Sequence, residues 1–224
     1  MPAIGPAPRW WFWSHDIQPD QIADLAMPGM RLRRLMSHRR GAQADRRFAA
    51  FYYDDDGAVA SSRRWLAPGC DAARYTLVLD DPPAPARAFR TDLDAAGVMA
   101  LLDGDHAVVD IASYPRDGTH CFAAIVEPRV GRGSVFVPAL RGDEVRPTLR
   151  GLGAVPVRAR AYHSPAGWRV DVVGERARGT GWSVHIDVDA DDVSERLERQ
   201  HGYPLDLDAV GHGLSVRFAL VAAA

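Results

Sequence analysis

Three small constellations in this chain hold the residue types that move protons or grip a ligand. His15-Asp16 ends one short apolar run, and His185 with Asp187 shares one face of another by strand alternation. An imidazole beside a carboxylate is the minimal acid–base pair, so His15, Asp16, His185 and Asp187 are the catalytic candidates. Tyr114 and His120 flank a tight turn and, with the alternating aromatics Trp11 and Trp13, are the candidates for contacting a ligand. None of these is a signature of one reaction. Gly-x-Ser-x-Gly, a P-loop and a dinucleotide fingerprint are all missing. The eight His are scattered, with no HExxH and no pair at a helical metal spacing, and Cys70 and Cys121 are not at one either. No metal and no cofactor is expected. The run Asp54-Asp55-Asp56-Gly57 lacks a following ligand set and reads as an exposed turn.

Each candidate also has a plainer account. Asp16, Asp92 and Asp187 stand just before predicted helices, where a carboxylate satisfies free first-turn amides. A single His is most simply a surface or hydrogen-bonded residue. Trp10 and Phe12 alternate with Trp11 and Trp13, so both faces of that strand are expected to be covered, or one to line a pocket.

The elements that must position these residues are repeated. Asp92–Glu127 reads as helix, strand, tight turn, strand. Asp94 is a candidate N-cap, Val98, Leu101 and Leu102 share a helical face, and Gly104 suits the position past the helix. Val108, Val109 and Ile111 fit a pleated surface, and Pro115-Arg116-Asp117-Gly118 makes the turn. Aligned on the first apolar residue of each helix, the copies start at Ile22, Val98, Val145 and Val193, at intervals of 76, 47 and 48 residues. Six positions earlier stand Asp16, Asp92, Ala139 and Asp187, and nine earlier Trp13, Phe89, Phe136 and Val184. The return strands RRFAAFYY, HCFAAIVE, WRVDVVGE and VRFALVAA bring Phe48, Phe122, Val170 and Phe218. The spacing predicts an α+β fold of four pseudo-repeated β-α-β-β units, antiparallel hairpins with one helix per unit. It predicts one repeat-built domain over 1–224, with units near 9–53, 86–128, 133–174 and 181–222. Helices are expected near 19–27, 94–103 and 189–200, and Pro147 predicts a late or short third helix. The insertion 54–85 amounts to one extra hairpin, with a strand at Arg74–Leu79 and a rigid Pro82-Pro83 linker. Arg158 and Arg160 in unit 3 stand at the same helix-relative positions as Asp206 and Asp208 in unit 4, which predicts a charge-paired seam between adjacent units.

The run Ser113-Tyr114-x-x-x-Gly118-x-His120-x-Phe122-Ala123-Ala124-Ile125, with RRFAAF at Arg46–Phe51, resembles the bacterial tandem-repeat domain. That repeat stands in front of the serine-hydrolase domain of polyglycine hydrolases and beside β-lactamase-like domains. The resemblance covers most of unit 2, less of units 1 and 4, and is faint in unit 3. It implies architecture rather than activity. A Ser-x-x-Lys nucleophile motif is impossible here, because the 27 basic residues are all Arg.

Composition is that of an ordinary globular chain, 47% hydrophobic and 25% charged. A net charge of −2 argues against nucleic acid as a partner, and the basic stretch Arg31–Arg47 reads as a solvated face. No apolar run is long enough to cross a bilayer, and MPAIGPAPRWWFW lacks the features of a signal peptide, so no membrane role and a cytoplasmic location are expected. Two functions stay open. One is a non-catalytic repeat module binding a small molecule, a peptide or a protein partner. The other is a stand-alone enzyme, a hydrolase or cyclase of bacterial secondary metabolism using His and Asp as acid and base. A deep pocket where His15 or His185 meets a carboxylate would favour the enzyme, and an aromatic-lined pocket the module.

Overall fold

In the computed structural model the described residues are 7–21, 29–40, 45–54, 64–68, 75–79, 88–103, 106–128, 133–177, 181–212 and 215–223. They form four three-stranded antiparallel sheets, one per predicted unit. Unit 1 holds β1 (Trp11–Ile17), β2 (Met30–Arg40) and β3 (Asp45–Asp54). After the inserted hairpin β4 (Arg64–Pro68) and β5 (Tyr75–Leu79), unit 2 follows with β6 (Ala88–Leu93), α1 (Ala95–Asp103), β7 (His106–Arg116) and β8 (Thr119–Pro128). Unit 3 is β9 (Ser134–Leu140), α2 (Gly142–Gly151), β10 (Ala154–Ser164) and β11 (Gly167–Arg176). Unit 4 is β12 (Trp182–Val188), α3 (Ala190–Arg199), β13 (Tyr203–His212) and β14 (Ser215–Ala223). In every unit the last strand sits in the middle, between the lead-in strand and the hairpin partner. The α+β repeat reading is therefore correct. The helix predicted near 19–27 shows a 3-10 turn at Pro19–Gln21, and its remainder lies outside the described residues, as do Ile22 and the Pro82-Pro83 linker.

Two irregularities recur in each sheet. The lead-in strand slips register where a non-glycine residue takes a left-handed backbone: Asp16 (φ 59°), Asp92 (φ 56°), Ala139 (φ 59°) and Asp187 (φ 58°). Asp tolerates this conformation better than most residues because its short side chain bonds locally. The helix-start account of Asp92 and Asp187 is thus corrected, while the segment after Asp16 that it concerns lies outside the described residues. The caps are Asp94, whose Oδ1 accepts from Gly97 N at 2.7 Å, and Asp189, which accepts from Asp192 N at 2.9 Å. The bulge carboxylates instead face arginines of the same sheet: Asp16 faces Arg47 at 3.6 Å, Asp92 faces Arg116 at 2.5 Å and Asp187 faces Arg217 at 3.5 Å. The third helix is also earlier than expected. α2 runs from Gly142 with Pro147 inside it, and Glu144 accepts from Arg141 N at 2.8 Å to fix its start.

The second irregularity is a bulge in each hairpin, between Leu32 and Arg34, Val108 and Asp110, Pro156 and Arg158, and Pro204 and Asp206. A bulge bends its strand and raises the twist. Here it turns the second strand of every unit toward one axis. Helices join the units: α1 packs on β9, α2 on β12, and α3 on β1 through Trp13, whose Nε1 donates to Ser194 Oγ at 3.1 Å. Unit 4 thereby closes on unit 1, and β4 fills the space between β2 and β7. The array is a ring of four.

The helix anchors Val98, Val145 and Val193 are at most 1% exposed, and Phe48, Phe122 and Phe218 are buried as predicted. Phe122 packs edge-on against Phe136 of the next unit, with ring centroids 5.2 Å apart. These cores run across unit boundaries, joining units 2 and 3, 3 and 4, and 4 and 1. Burial of shared apolar surface is what holds the ring.

On the axis the four bulges bring charges together. Arg34 ion-pairs with Asp110, and its Nε lies 3.0 Å from Asp206 Oδ1. Arg160 reaches Asp110 at 2.9 Å and Asp206 at 2.6 Å, and Arg158 lies 3.3 Å from Asp110. Arg34, Arg160, Asp110 and Asp206 are all almost fully buried. The Arg34 guanidinium is one departure from expectation, since its stretch was read as a solvated face. The predicted seam between units 3 and 4 is present as Arg160 with Asp206, but it is half of a four-unit ring. Burial pushes Arg34 down, yet Asp110 and Asp206 outweigh it and leave the group raised. Burial also pushes Asp206 up. Cations on both of its oxygens are the stronger indication, and they keep Asp206 ionised.

Candidate functional site

Beyond the charge ring the four second strands diverge and leave a funnel of about 650 Å³. Its wall comes from all four units, with Ser37 and His38 of β2, Ser113 and Tyr114 of β7, Arg160 and Tyr162 of β10, and Asp208 and Val210 of β13. A volume of this size suits a small molecule.

The repeat supplies a baseline for reading that wall. Two residues past each bulge, the paired positions are Met36 with Ala49, Ala112 with Ala123, Arg160 with Asp171, and Asp208 with Ala219. Small or apolar residues are the default there, so Arg160, Asp171 and Asp208 are departures. Arg160 belongs to the ring. Asp171, only 1% exposed, crosses to unit 2, where its Oδ2 lies 2.7 Å from His120 Nε2. Its Oδ1 accepts from Ala139 N at 2.9 Å, the amide of the left-handed bulge residue. An ionised carboxylate can only accept, so Nε2 is the donor in this pair. The imidazole stacks on Tyr162 with centroids 4.0 Å apart and meets Phe122 edge-on.

Asp208 lines the funnel on the opposite side of the ring from unit 2. Its Oδ2 accepts from Ala161 N at 3.0 Å, and Ala209 N supplies a second backbone bond. No cationic side chain makes an ion pair with it among the described residues. Burial pushes its carboxyl up to about 7, backbone bonds and Arg34 pull it back, and neighbouring Asp206 adds to the rise. The side chain still opens partly to the funnel, so solvent there tempers the shift.

The sequence candidates fall into two groups. Tyr114 and His120 both line the funnel. Tyr114 is also buried, donating to Asp92 Oδ1 at 2.8 Å and accepting from Asp92 N at 2.9 Å, so it braces the unit 2 bulge. The rest lie elsewhere. Trp11 and Trp13 pack into the core between units 1 and 4, and neither lines the funnel. His15 is exposed, stacked on Trp13 and edge-on to Phe218. His185 contacts Ser183, Arg196 and Gln200, and burial with Arg196 beside it pushes its imidazole down. Neither imidazole touches a carboxylate among the described residues, and the two do not meet. Asp16 and Asp187 pair with Arg47 and Arg217 as described. Sequence reading missed Asp171, Tyr162 and His38. Asp171 had a signal, since WRVDVVGE places Asp where the aligned strands have Ala. No helix among the described residues is long and apolar enough to cross a membrane, and no group of three His, Cys, Asp or Glu there could hold a metal.

No protein-family model matches this chain, and no curated protein matches it.

Proposed function

We propose that the chain is a repeat-built module of the bacterial tandem-repeat type that binds a small molecule in its axial funnel. One observation carries this reading. Asp208, where unit 4 breaks the pattern, lines one concave funnel with His120 and Tyr162, and the other departure, Asp171, stands behind that wall and holds His120. A scaffold under packing constraints alone has no reason to put a carboxylate at a buried position that the other units fill with alanine, as at Asp171, or one without an ionic partner on the funnel wall, as at Asp208. The test is amide chemical-shift mapping with a small fragment library. Shifts clustered on Ser113, Tyr114, Tyr162 and Val210 are expected. Shifts clustered around Trp11 and Trp13 would move the site to the seam between units 1 and 4 and end this reading.

The second reading is an enzyme, and the His120–Asp171 pair favours it. Asp171 holds the imidazole orientation as an acid–base catalyst requires. Hydrolase or cyclase chemistry on a secondary metabolite remains the form this reading takes. Funnel-binding fragments recovered unchanged after long incubation support binding alone. Conversion by the native chain and not by His120→Gln supports catalysis.

A further inference from the structure

We propose that the funnel takes an organic cation, an amine or quaternary ammonium on a small apolar body, with Asp208 as its counter-ion. This rests on the funnel being the ligand site. The charges on the funnel wall and just behind it sort by whether they are already answered. Arg160 has Nε on Ile111 O, Nη1 on Ala159 O and Asp206, and Nη2 on Asp110, so its charge is answered by two carboxylates and most of its donors are used inside the protein. Arg34 is spent on Asp110 and Asp206. Asp171 is spent on His120 and Ala139 N. Asp208 alone of these carboxylates is held only by backbone amides, those of Ala161 and Ala209. The rings of Tyr162, His120 and Tyr114 line the same funnel, the last two from the unit across it. Ring faces attract a cation and offer an anion nothing.

The groups facing Asp208 set the pH dependence. From β2 these are Arg34, His38 and, at the mouth, Arg39. From β10 they are Arg160, Tyr162 and His163, across the funnel His120, and from its own strand Asp206. The paired strand β14 places Ala219 opposite it. A carboxyl held up near 7 is ionised above that pH, so cation affinity should rise as the pH goes from 6 to 8. Several charged groups share the funnel with Asp208, so the pH trend needs a variant to isolate it. Arg39 is the rival feature, since an exposed guanidinium at the mouth would draw an anion.

The experiment uses three matched probes, benzylamine, benzyl alcohol and benzoate, titrated by calorimetry and ligand-observed NMR at pH 6 and 8. Benzylamine is expected to bind about tenfold or more tighter than benzyl alcohol at pH 8, a ratio typical of one desolvated charge pair. Asp208→Asn, which keeps the shape and an acceptor oxygen, should bring the two within about twofold of each other. Benzoate binding as tightly as benzylamine in the native chain overturns the inference and needs no variant. So does a benzylamine preference that survives in Asp208→Asn. Failure of all three probes to shift the funnel amides removes the funnel reading itself, which separates that failure from a wrong charge preference.

Discussion

Asp206 and Asp208 stand two residues apart on one strand, on one face, with the same charge and the same inward aim. Their surroundings differ. Asp206 meets Arg34 and Arg160, one guanidinium on each oxygen. Asp208 meets two amides and the space of the funnel. The first lies at a bulge position that every unit fills with a charge of alternating sign, Arg34, Asp110, Arg158 and Asp206. The second lies where units 1 and 2 have Met36 and Ala112. A buried charge that completes a symmetric pattern is explained by assembly of the ring. A buried charge that breaks the pattern and has no ionic partner asks for a different cause, and ligand binding supplies one.

The largest expected effect breaks the ring side of this contrast. Asp206→Ala leaves Arg34 and Arg160 each with one carboxylate in a dry interior and strips the acceptor from Ala159 N. A loss of about 3–5 kcal/mol is expected by urea unfolding, as for removal of one partner from a buried pair. A loss below about 1 kcal/mol would mean that solvent reaches the axis, and the two aspartates would no longer differ in kind.

The next effect has the opposite sign and sharpens the contrast. Asp208 is raised from 3.8 to about 7, so the folded state binds its proton more tightly than the unfolded chain does. Its contribution to stability is therefore full below about pH 4 and is lost as the pH rises toward 7. Asp208→Asn removes that loss. The variant should be more stable than the native chain by about 1–3 kcal/mol at pH 8, allowing for the partly open side chain, and little different at pH 4. A destabilised variant at pH 8 would show that the carboxylate is answered inside the protein after all, as Asp206 is.

The two aspartates also show what a sequence makes legible. The units, the hairpins and the buried anchors followed from period, turn chemistry and wording, because those are local. The pairing of units 3 and 4 followed too, since Arg158 with Arg160 and Asp206 with Asp208 stand at equal distances from their helices. Arg34 and Asp110 escaped that comparison by one residue. They are 12 positions from Ile22 and Val98, whereas Arg158 and Asp206 are 13 from Val145 and Val193. The bulge register, not the count along the chain, makes the four equivalent. Closure of the ring was equally hidden, because it depends on α3 of unit 4 reaching β1 of unit 1 across most of the sequence. His15 and His185 do not meet the neighbouring carboxylates, because proximity in sequence to an aspartate said nothing of where the left-handed bulge would turn that carboxylate. His120 met its carboxylate through Asp171, 51 residues away.

The smallest effect concerns that bulge and the one unit that fills it differently. Three units place Asp in the left-handed conformation and pair its carboxylate with Arg47, Arg116 or Arg217. Unit 3 places Ala139 there, at φ 59°, with no side chain to bond locally. Asp171 takes over by accepting the Ala139 amide, and the same carboxylate orients His120. A left-handed alanine costs about 1 kcal/mol relative to glycine, which has no Cβ to crowd the following carbonyl. Ala139→Gly should therefore stabilise the chain slightly, by about 0.5 kcal/mol after the added freedom of the unfolded glycine is subtracted. The informative readout is the His120 imidazole by NMR. Its shifts should stay in place, because the amide of residue 139 still donates to Asp171. A stability gain accompanied by a moved His120 would mean that the alanine methyl group, and not the amide, positions Asp171. The funnel wall of unit 3 would then be tuned by packing at the bulge rather than by the hydrogen bond, and the departure from the repeat would begin at Ala139 itself.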